Sequence, residues 1–366
     1  MKPIIAVPIT LVMVHRAWSK ASLTPAGILA AVITAVAHAI HPWNVPFGLL
    51  IVFFLTGTRV TKIKHDVKSK LTIRASGNTG GEGSRTHIQV IANSGVASIL
   101  SLLHSYQLYR DENKTHFCLE WPGNLLFLGI VANYAAAAAD TFSSELGIIS
   151  RSQPRLITSM NLRKVPPGTN GGVTALGLMA GVLGSFIIVV TTLVLTPFCQ
   201  SPKLIGGKNF QRVWGLEEKL IFAVAMTLWG ALGSLLDSFL GGWFQQSVVD
   251  IRSGKIIEGD GGKNVLVRDA KTRIFSIQAK VNLSRQRETR NFSAERHVET
   301  PGSSIDNIRS KDGNKNEISP DLHSTDMKPS ISVESGTVGL LDNNQVNFLM
   351  TLIMSLGVMV MGTWIL

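Results

Sequence analysis

Long apolar runs with few charges recur along the chain and define its organisation. They cover residues 23–40, 43–58, 88–103, 121–139, 172–196, 219–244 and 346–366. Several reach the ~20 residues that a helix needs to cross the hydrocarbon core, and the shorter runs can span it with tilt or bilayer thinning. The runs lack the period-two alternation of membrane β-strands. The pattern therefore predicts an all-α, polytopic helical membrane protein with about 7–8 transmembrane helices.

A further apolar run lies near the N-terminus, at residues 3–14. Its 12 residues make about 18 Å of helix, which is short for a span. It is followed by "HRAWSK", which has no small-residue cleavage site of the kind that follows a signal peptide. We expect a short or N-terminally incomplete first helix, and no plastid transit peptide.

Residues 254–338 interrupt the apolar pattern with charged residues, Ser and Asn. Such a stretch has too few large apolar side chains to offset the entropy of ordering, so it is predicted to be a disordered cytoplasmic loop insertion. Residues 1–253 then form the first part of one membrane domain, and residues 339–366 supply its last transmembrane helix.

Composition agrees with a membrane protein, and the placement of charge gives an orientation. The chain has 366 residues, of which 45% are hydrophobic and 16% are charged, with a net charge of +11. Loops 15–22, 59–87 and 141–171 together carry 13 Lys and Arg, against 5 in the opposite loops 105–120 and 197–218. A Lys/Arg excess in short loops marks the cytoplasmic side. The positive charge is thus explained by topology, and it predicts no nucleic-acid partner.

Cys118 and Cys199 both fall in loops on the opposite side. A disulfide is possible there if the compartment is oxidising. From the sequence alone, two unrelated thiols are the favoured interpretation.

With the run 3–14 counted as the first, the fifth apolar run, 121–139, ends in "NYAAAAADTFSSELG". Its alanines predict a smooth surface for neighbouring helices, and Asp140 is expected at the cytoplasmic end of the span. Asp140 and Ser144 share a helix face, whereas Glu145 lies about 140° away from Asp140. The two acids should therefore serve different partners unless the helix breaks. An acid that simply faces headgroup water is the alternative.

The stretch "RSQPRLITSMNLRKVPPGTNGGVT" combines a glycine-rich turn with positive charge before the sixth run. Backbone N–H groups of such a turn at a helix N-terminus suit phosphate. A plain capped turn is the alternative. The candidate phosphate-binding residues are Arg155, Arg163, Lys164, Gly168, Thr169, Asn170 and Gly171.

Three more polar groups lie at helix ends predicted to be cytoplasmic. Gln89 and Asn93 share a face after a glycine-rich stretch and Arg85, although the glycines alone could form a flexible linker. Asp237 lies inside the seventh run, where an ionisable residue usually marks a function, with a structural hydrogen bond as the alternative. Before the last run, a cap explains Asp342 and Gln345, but it does not explain Asn343 and Asn347.

All these clusters fall on the same side of the predicted membrane domain, which favours one shared site. Acids beside phosphate-binding turns imply Mg²⁺, because the ion bridges carboxylates and phosphates. We expect Asp140, Asp237 and Asp342 to hold it. Glu145 is assigned a catalytic role as a further metal ligand and not as a base.

The blocks "GGEGSRTHIQVIANSG", "ADTFSSELG", "PRLITSMNLRKVPPGTNGGVTALG", "GSLLDSFLGGWFQ" and "DNNQVNFL" resemble, in order, the signature blocks of the transmembrane protein 19 family, or domain of unknown function 92. The resemblance covers about residues 20–253 and 339–366. It implies a relationship to plant phytyl-phosphate kinases and to membrane kinases that use CTP.

From the resemblance and the residues together we expect a prenyl-phosphate kinase in the bilayer. It would use CTP or another nucleotide with Mg²⁺ at the cytoplasmic face, with an isoprenoid phosphate other than phytyl phosphate as acceptor. The endoplasmic reticulum or another endomembrane is the expected location. The alternative is a non-enzymatic membrane transporter or lipid-binding protein. The sequence does not indicate the oligomeric state.

Overall fold

The computed structural model describes residues 2–74, 83–110, 118–120, 123–199, 214–259, 331–336 and 339–365. The chain divides into two compact units, residues 1–266 with 333–366 and residues 267–332. Almost all of the second unit lies outside the described residues. The account below therefore concerns the first unit.

The described residues form nine helices, and they confirm a polytopic helical membrane protein. Six are long and apolar enough to cross a membrane, and the apolar helices α1 and α2 are shorter. The helices are α1 (Pro3–Ser19), α2 (Pro25–Ala39), α3 (Val45–Lys62), α4 (His65–Lys68), α5 (His87–Arg110), α6 (Leu125–Gly147), α7 (Ala175–Leu195), α8 (Leu216–Phe244) and α9 (Asn343–Ile365).

Helix α6 lies at the centre and packs against α3, α5, α7, α8 and α9. Every residue from Phe127 to Ala139 is buried. A Cβ added to Gly184 of α7 would lie 2.5 Å from the Ala138 carbonyl oxygen, and one added to Gly230 of α8 would lie 2.6 Å from the Ala135 Cβ. Glycine facing alanine lets these helices approach closely, as the alanine run predicts.

The C-terminal end of α6 differs from the expectation. The helix does not end at Asp140 but continues for seven residues to Gly147. Asp140 therefore lies about 10 Å inside the helix end, at 1.5 Å per residue. The apolar run stops earlier than the helix because the last turns line a polar cavity instead of facing lipid.

Two small sheets connect helix ends, a feature that the all-α prediction did not include. The strands are β1 (Thr72–Arg74), β2 (Arg155–Leu156), β3 (Gly172–Val173), β4 (Ser247–Asp250), β5 (Lys255–Glu258) and β6 (Ile331–Ser335). One sheet has the order β1-β5-β4-β6, with β1 parallel and β4 antiparallel to β5; the other pairs β2 with β3.

Strands β5 and β6 fall inside the segment 254–338 that was predicted to be disordered, so the ends of that segment are ordered. The segment has few apolar side chains to bury, and hydrogen bonds between strands order its ends instead. Residues 260–330 lie outside the described residues, where disorder stays a prediction.

Cys118 and Cys199 form a disulfide, with their Cα atoms 5.1 Å apart, so the expectation of two unrelated thiols is wrong. The backbone around Leu119 brings them together: its N–H donates to the Pro197 carbonyl, and the Cys199 N–H donates to the Leu119 carbonyl at 3.1 Å. This contact joins the start of α6 to the end of α7, at the end of the bundle opposite Asp140. A separation of 81 residues in sequence concealed the pairing.

Replacing either cysteine should leave the other as a free thiol. We expect Cys118→Ser and Cys199→Ser each to show one maleimide-reactive thiol in denaturant without reduction, and the unchanged protein to show none. Each variant should also lose about 2–4 kcal/mol of stability, because the cross-link restricts the unfolded chain. Mass spectrometry of the labelled chain measures the first effect, and thermal unfolding in detergent the second. Labelling of both cysteines in the unreduced, unchanged protein would contradict the pairing.

Candidate functional site

A cavity of about 440 Å³ lies where α3, α6 and α8 end and α5, α7 and α9 begin. Side chains or backbone from all six helices line it, together with the β1-β5-β4-β6 sheet. The expected site residues that line it are Arg85, Gln89, Asn93, Asp140, Ser144, Glu145, Gly168, Thr169, Asn170, Gly171, Asp237, Asn343 and Asn347. Residues that are distant in sequence therefore share one cavity.

Two carboxyl groups meet at the floor of this cavity. Asp140 of α6 and Asp237 of α8 are hydrogen-bonded to each other through their side chains. Each lies seven residues before its helix ends, about 10 Å below the rim. Two carboxyl groups in contact cannot both stay ionised without help, so they need a shared proton or a cation.

An amide from α9 completes the floor. With its side-chain amide oriented to satisfy both neighbours, Asn347 donates to the Asp237 Oδ1 at 3.0 Å and to the Asn343 carbonyl at 3.1 Å. Asn343 lines the cavity one turn above. The Asn347 amide, expected from the sequence, therefore orients a floor carboxylate.

Glu145 serves a different partner, as its angle from Asp140 predicts. Its carboxylate forms an ion pair with Lys68 of α4, and both side chains are almost fully buried. The Lys68 ammonium also donates to the Thr61 carbonyl at 2.6 Å and to the Val60 carbonyl at 3.3 Å, which closes the C-terminus of α3. Three acceptors use all three ammonium protons, so Lys68 holds Glu145 in place.

Arg85 provides positive charge on the cavity wall. Its backbone N–H donates to the Ser22 carbonyl, and its carbonyl accepts from the Thr24 N–H, both at 3.0 Å. Its guanidinium donates to the Thr61 hydroxyl at 3.0 Å, and Gly57 of α3 leaves room for it, since a Cβ there would lie 3.4 Å from Nη1. Hydrogen bonds therefore fix both the backbone and the guanidinium of Arg85.

The α5 amides line the cavity but are partly used within their own helix. The Gln89 Oε1 accepts from the Thr86 N–H at 2.8 Å, and the Gln89 N–H donates to the Thr86 hydroxyl at 3.4 Å. This reciprocal pair caps the start of α5. Asn93 donates to the Gln89 carbonyl at 3.1 Å. Both amides thus line the cavity, as predicted from their shared face, while making these hydrogen bonds.

The glycine turn closes one side of the cavity by tight packing. Gly168 and Gly171 have φ of +87° and +81°, and a Cβ on Gly171 would lie 2.6 Å from the Gly242 Cα of α8. Several of its N–H groups are already used: Asn170 donates to the Ser247 hydroxyl, and Gly172 donates to the Thr169 carbonyl, both at 2.9 Å. The turn therefore mainly closes the cavity, and fewer of its N–H groups are available to bind phosphate than its sequence suggests.

Four expected residues do not line the cavity in the described part of the chain, which corrects the predicted set. The Arg155 guanidinium donates to the Leu162 carbonyl at 3.3 Å, and exposed Lys164 pairs with Arg155 through the backbone. Arg163 forms an ion pair with Glu334. Asp342 caps α9, since its Oδ1 accepts from the Gln345 N–H at 2.9 Å.

The predicted three-acid metal group is therefore not assembled by the described residues, among which no three His, Cys, Asp or Glu side chains are grouped to hold a metal. The Asp140–Asp237 pair remains. Magnesium is commonly held by one or two carboxylates with water and substrate phosphates completing its shell, so the donor set of the pair fits this ion.

Several lining residues were missed by sequence reasoning, because single polar residues at helix ends, in a short helix, in loops or in strands carry no periodic signal. Lys68 is one of seven basic residues in the loop 59–87, and nothing in the sequence distinguishes it. The missed polar residues include Thr61, His65, Lys68, Thr72, Gln245 and Ser247.

Residues 8–355 match the model of a family described as integral membrane protein DUF92. The chain belongs to the DUF92 family. Protein PGR of Arabidopsis thaliana is 33% identical over 253 residues, 67% of this chain and 79% of that relative. No solved structure gives a significant match.

Two other similar proteins align over shorter stretches of this DUF92 chain. An uncharacterized membrane protein of Methanocaldococcus jannaschii is 34% identical over 140 residues, 38% of this chain and 49% of the relative. Protein VTE6, chloroplastic, of Arabidopsis thaliana is 29% identical over 166 residues, 45% of each chain.

The Lys68–Glu145 pair should be strongly coupled. Lys68→Met or Glu145→Gln alone leaves a buried charge without its counter-ion, so each should lower the free energy of unfolding by about 3–5 kcal/mol. The double variant should lose clearly less than the sum of the two.

Unfolding in detergent, followed by denaturant titration, measures these values. Arg155→Met is the matched control, because its guanidinium is exposed and its loss should cost little. Additive losses in the double variant would contradict the coupling.

Proposed function

We propose that this DUF92 protein is an integral-membrane phosphotransferase that phosphorylates an isoprenyl monophosphate, with CTP or another nucleotide as donor. The observation that carries the proposal is the Asp140–Asp237 pair about 10 Å below the helix ends, with Arg85 on the wall of the same cavity. Acids and a cation in one membrane-embedded cavity suit a reaction between phosphates.

The depth of the pair supports a functional role. A charged residue within a membrane helix costs at least ~2.5–3.5 kcal/mol on insertion scales. The alanine and glycine packing described above would hold the bundle together without either acid. Two such acids in contact are therefore better explained by a ligand than by packing.

Asp140 and Asp237 would hold Mg²⁺, and the Asn343 and Asn347 amides would support them from α9. When bound, the ion neutralises phosphate charge and lets anionic substrates approach the carboxylates. A site of this depth also excludes bulk water, which strengthens the electrostatic interactions within it.

The chain's own residues would act mainly by positioning. The acceptor phosphate is already an anionic nucleophile, so the reaction requires no strong base. Arg85 can bind and orient a phosphate, because its guanidinium lies on the cavity wall and is fixed by Thr61. Glu145, paired with Lys68, keeps α4 and α6 together and is not required as a base.

The surroundings of the cavity and the family resemblance support the proposed acceptor and orientation. The helices expose many large apolar side chains, which can contact bilayer lipid and a substrate tail alike. Short-loop charge favours a cytoplasmic site. The disulfide at the other end suits an oxidising compartment, and both agree with an endomembrane such as the endoplasmic reticulum. The family resemblance implies an isoprenoid phosphate.

Transfer of labelled phosphate tests the proposal. Purified protein in nanodiscs, given labelled CTP, Mg²⁺ and farnesyl or geranylgeranyl phosphate, should form labelled prenyl diphosphate. Chelation by EDTA should abolish the product, and added Mg²⁺ should restore it. Asp237→Asn should reduce turnover at least about a hundredfold, because it removes a charge from the floor.

Asp342→Asn is the matched control. Asn caps a helix as well as Asp does, so turnover should stay within about twofold. Full turnover in Asp237→Asn would disprove the site. Absence of transfer from every nucleotide, with thermal stabilisation by a small solute, would favour the transporter alternative.

A further inference from the structure

Two buried polar side chains at the rim of the cavity lack the partners that such groups normally have. Thr72 of β1 and Gln245, which follows α8, are each 2% exposed and line the cavity. The Thr72 hydroxyl and the Gln245 Nε2 have no hydrogen-bond partner within the described residues. Buried polar groups are nearly always satisfied in native proteins, so a ligand that enters the cavity is a natural partner.

A glycine packs closely against each of these two side chains. A Cβ on Gly168 would lie 2.9 Å from the Thr72 Cγ2 and 3.7 Å from the Ile256 Cβ. A Cβ on Gly241 would lie 3.2 Å from the Gln245 Oε1. Larger residues at either glycine would press on the two unpartnered side chains.

The chemistry of this rim region differs from that of the floor. Its donors are a hydroxyl and a carboxamide, and Ile256 and Ile257 of β5 line the cavity beside them. Neutral donors among apolar side chains suit an uncharged hydrogen-bonding group, such as a nucleobase or a ribose. A phosphate is more commonly bound by charged donors, which here lie elsewhere in the cavity.

The spacing along α8 gives the approximate distance from Gln245 at the rim to Asp237 at the floor. Gln245 follows Asp237 by eight residues, which corresponds to about 12 Å along a helix. The chain of phosphates in a nucleoside triphosphate can bridge a separation of this order. A nucleoside at the rim would thus place its terminal phosphate toward the floor.

We propose that Thr72 and Gln245 form the subsite that binds the nucleoside part of the phosphate donor. This inference rests on the phosphotransferase function proposed above. It assigns the nucleoside of the donor to the rim of the cavity and the reacting phosphates of donor and acceptor to the floor.

The test separates donor binding from phosphate chemistry. Gln245→Met and Thr72→Val remove the donors with little change in volume, and Thr72→Ser restores the hydroxyl. Each of the first two should raise the KM for the nucleotide about ten- to hundredfold, because a buried hydrogen bond to the donor is lost. The kcat and the KM for the prenyl phosphate should change less than about threefold, and Thr72→Ser should resemble the unchanged protein.

Binding provides a second readout that does not need turnover. The Kd for a non-hydrolysable nucleotide should rise in Gln245→Met and Thr72→Val, whereas the Kd for inorganic tripolyphosphate should not. Thermal unfolding checks that each variant is folded. If one variant does not fold, the other carries the test.

Three outcomes would overturn the inference. An unchanged nucleotide KM in both variants, with transfer intact, would overturn the rim subsite alone. Equal weakening of nucleotide and tripolyphosphate would assign the two side chains to phosphate instead. Failure of the unchanged protein to bind nucleotide or transfer phosphate would overturn both the subsite and the proposed function.

Discussion

The close approach of glycine and alanine backbones around α6 is the constraint on which the rest of the structure depends. In lipid, apolar helices gain little by leaving the solvent, so they associate through van der Waals contact and short interhelical distances. A Cβ on Gly233 would lie 2.5 Å from the Ala136 Cβ, which shows how little space separates α8 from α6. Four residues further along both helices, this distance brings Asp237 to Asp140. A larger side chain at Gly233 would separate the two acids as well as α6 and α8.

The buried polar groups at the two ends of the bundle differ in what they face. Away from the cavity, buried histidines are hydrogen-bonded to neighbouring groups of the protein. The His38 Nδ1–H donates to the Thr34 carbonyl and its Nε2 accepts from the Tyr134 hydroxyl at 2.8 Å, and His41 bonds to His104 at 2.9 Å. Such pairing offsets the cost of burying polar atoms. At the cavity, acids, amides and a guanidinium line a common space that a ligand can enter. The first arrangement satisfies its polar groups within the protein, and the second fits the binding role proposed above.

The sheet at the cavity rim contains the described ends of the segment 254–338. Strand β4 follows α8 and lies between β5 and β6, which are the described parts of that segment. Arg163 pairs with Glu334, and the Ser335 hydroxyl donates to the Asn170 carbonyl at 3.1 Å. The two ends are thus tied to the wall of the cavity. Because the entropy of loop closure grows slowly with length, the segment between them can be long at little cost.

The sequence by itself determined the helices, their approximate bounds and the gathering of polar residues at one end, because apolar run length and loop charge are local properties. It also placed Asp140 and Asp237 among the candidates, since an acid next to or within an apolar run is conspicuous. It could not indicate that Lys68 is the partner of Glu145 or that Thr72 and Gln245 line the same cavity. Only the tertiary structure decided these contacts, together with the exclusion of Arg163 and Asp342 from the cavity and the disulfide. Each depends on which of several chemically similar residues is brought close in space, and that choice follows from helix packing and strand pairing across distant parts of the chain.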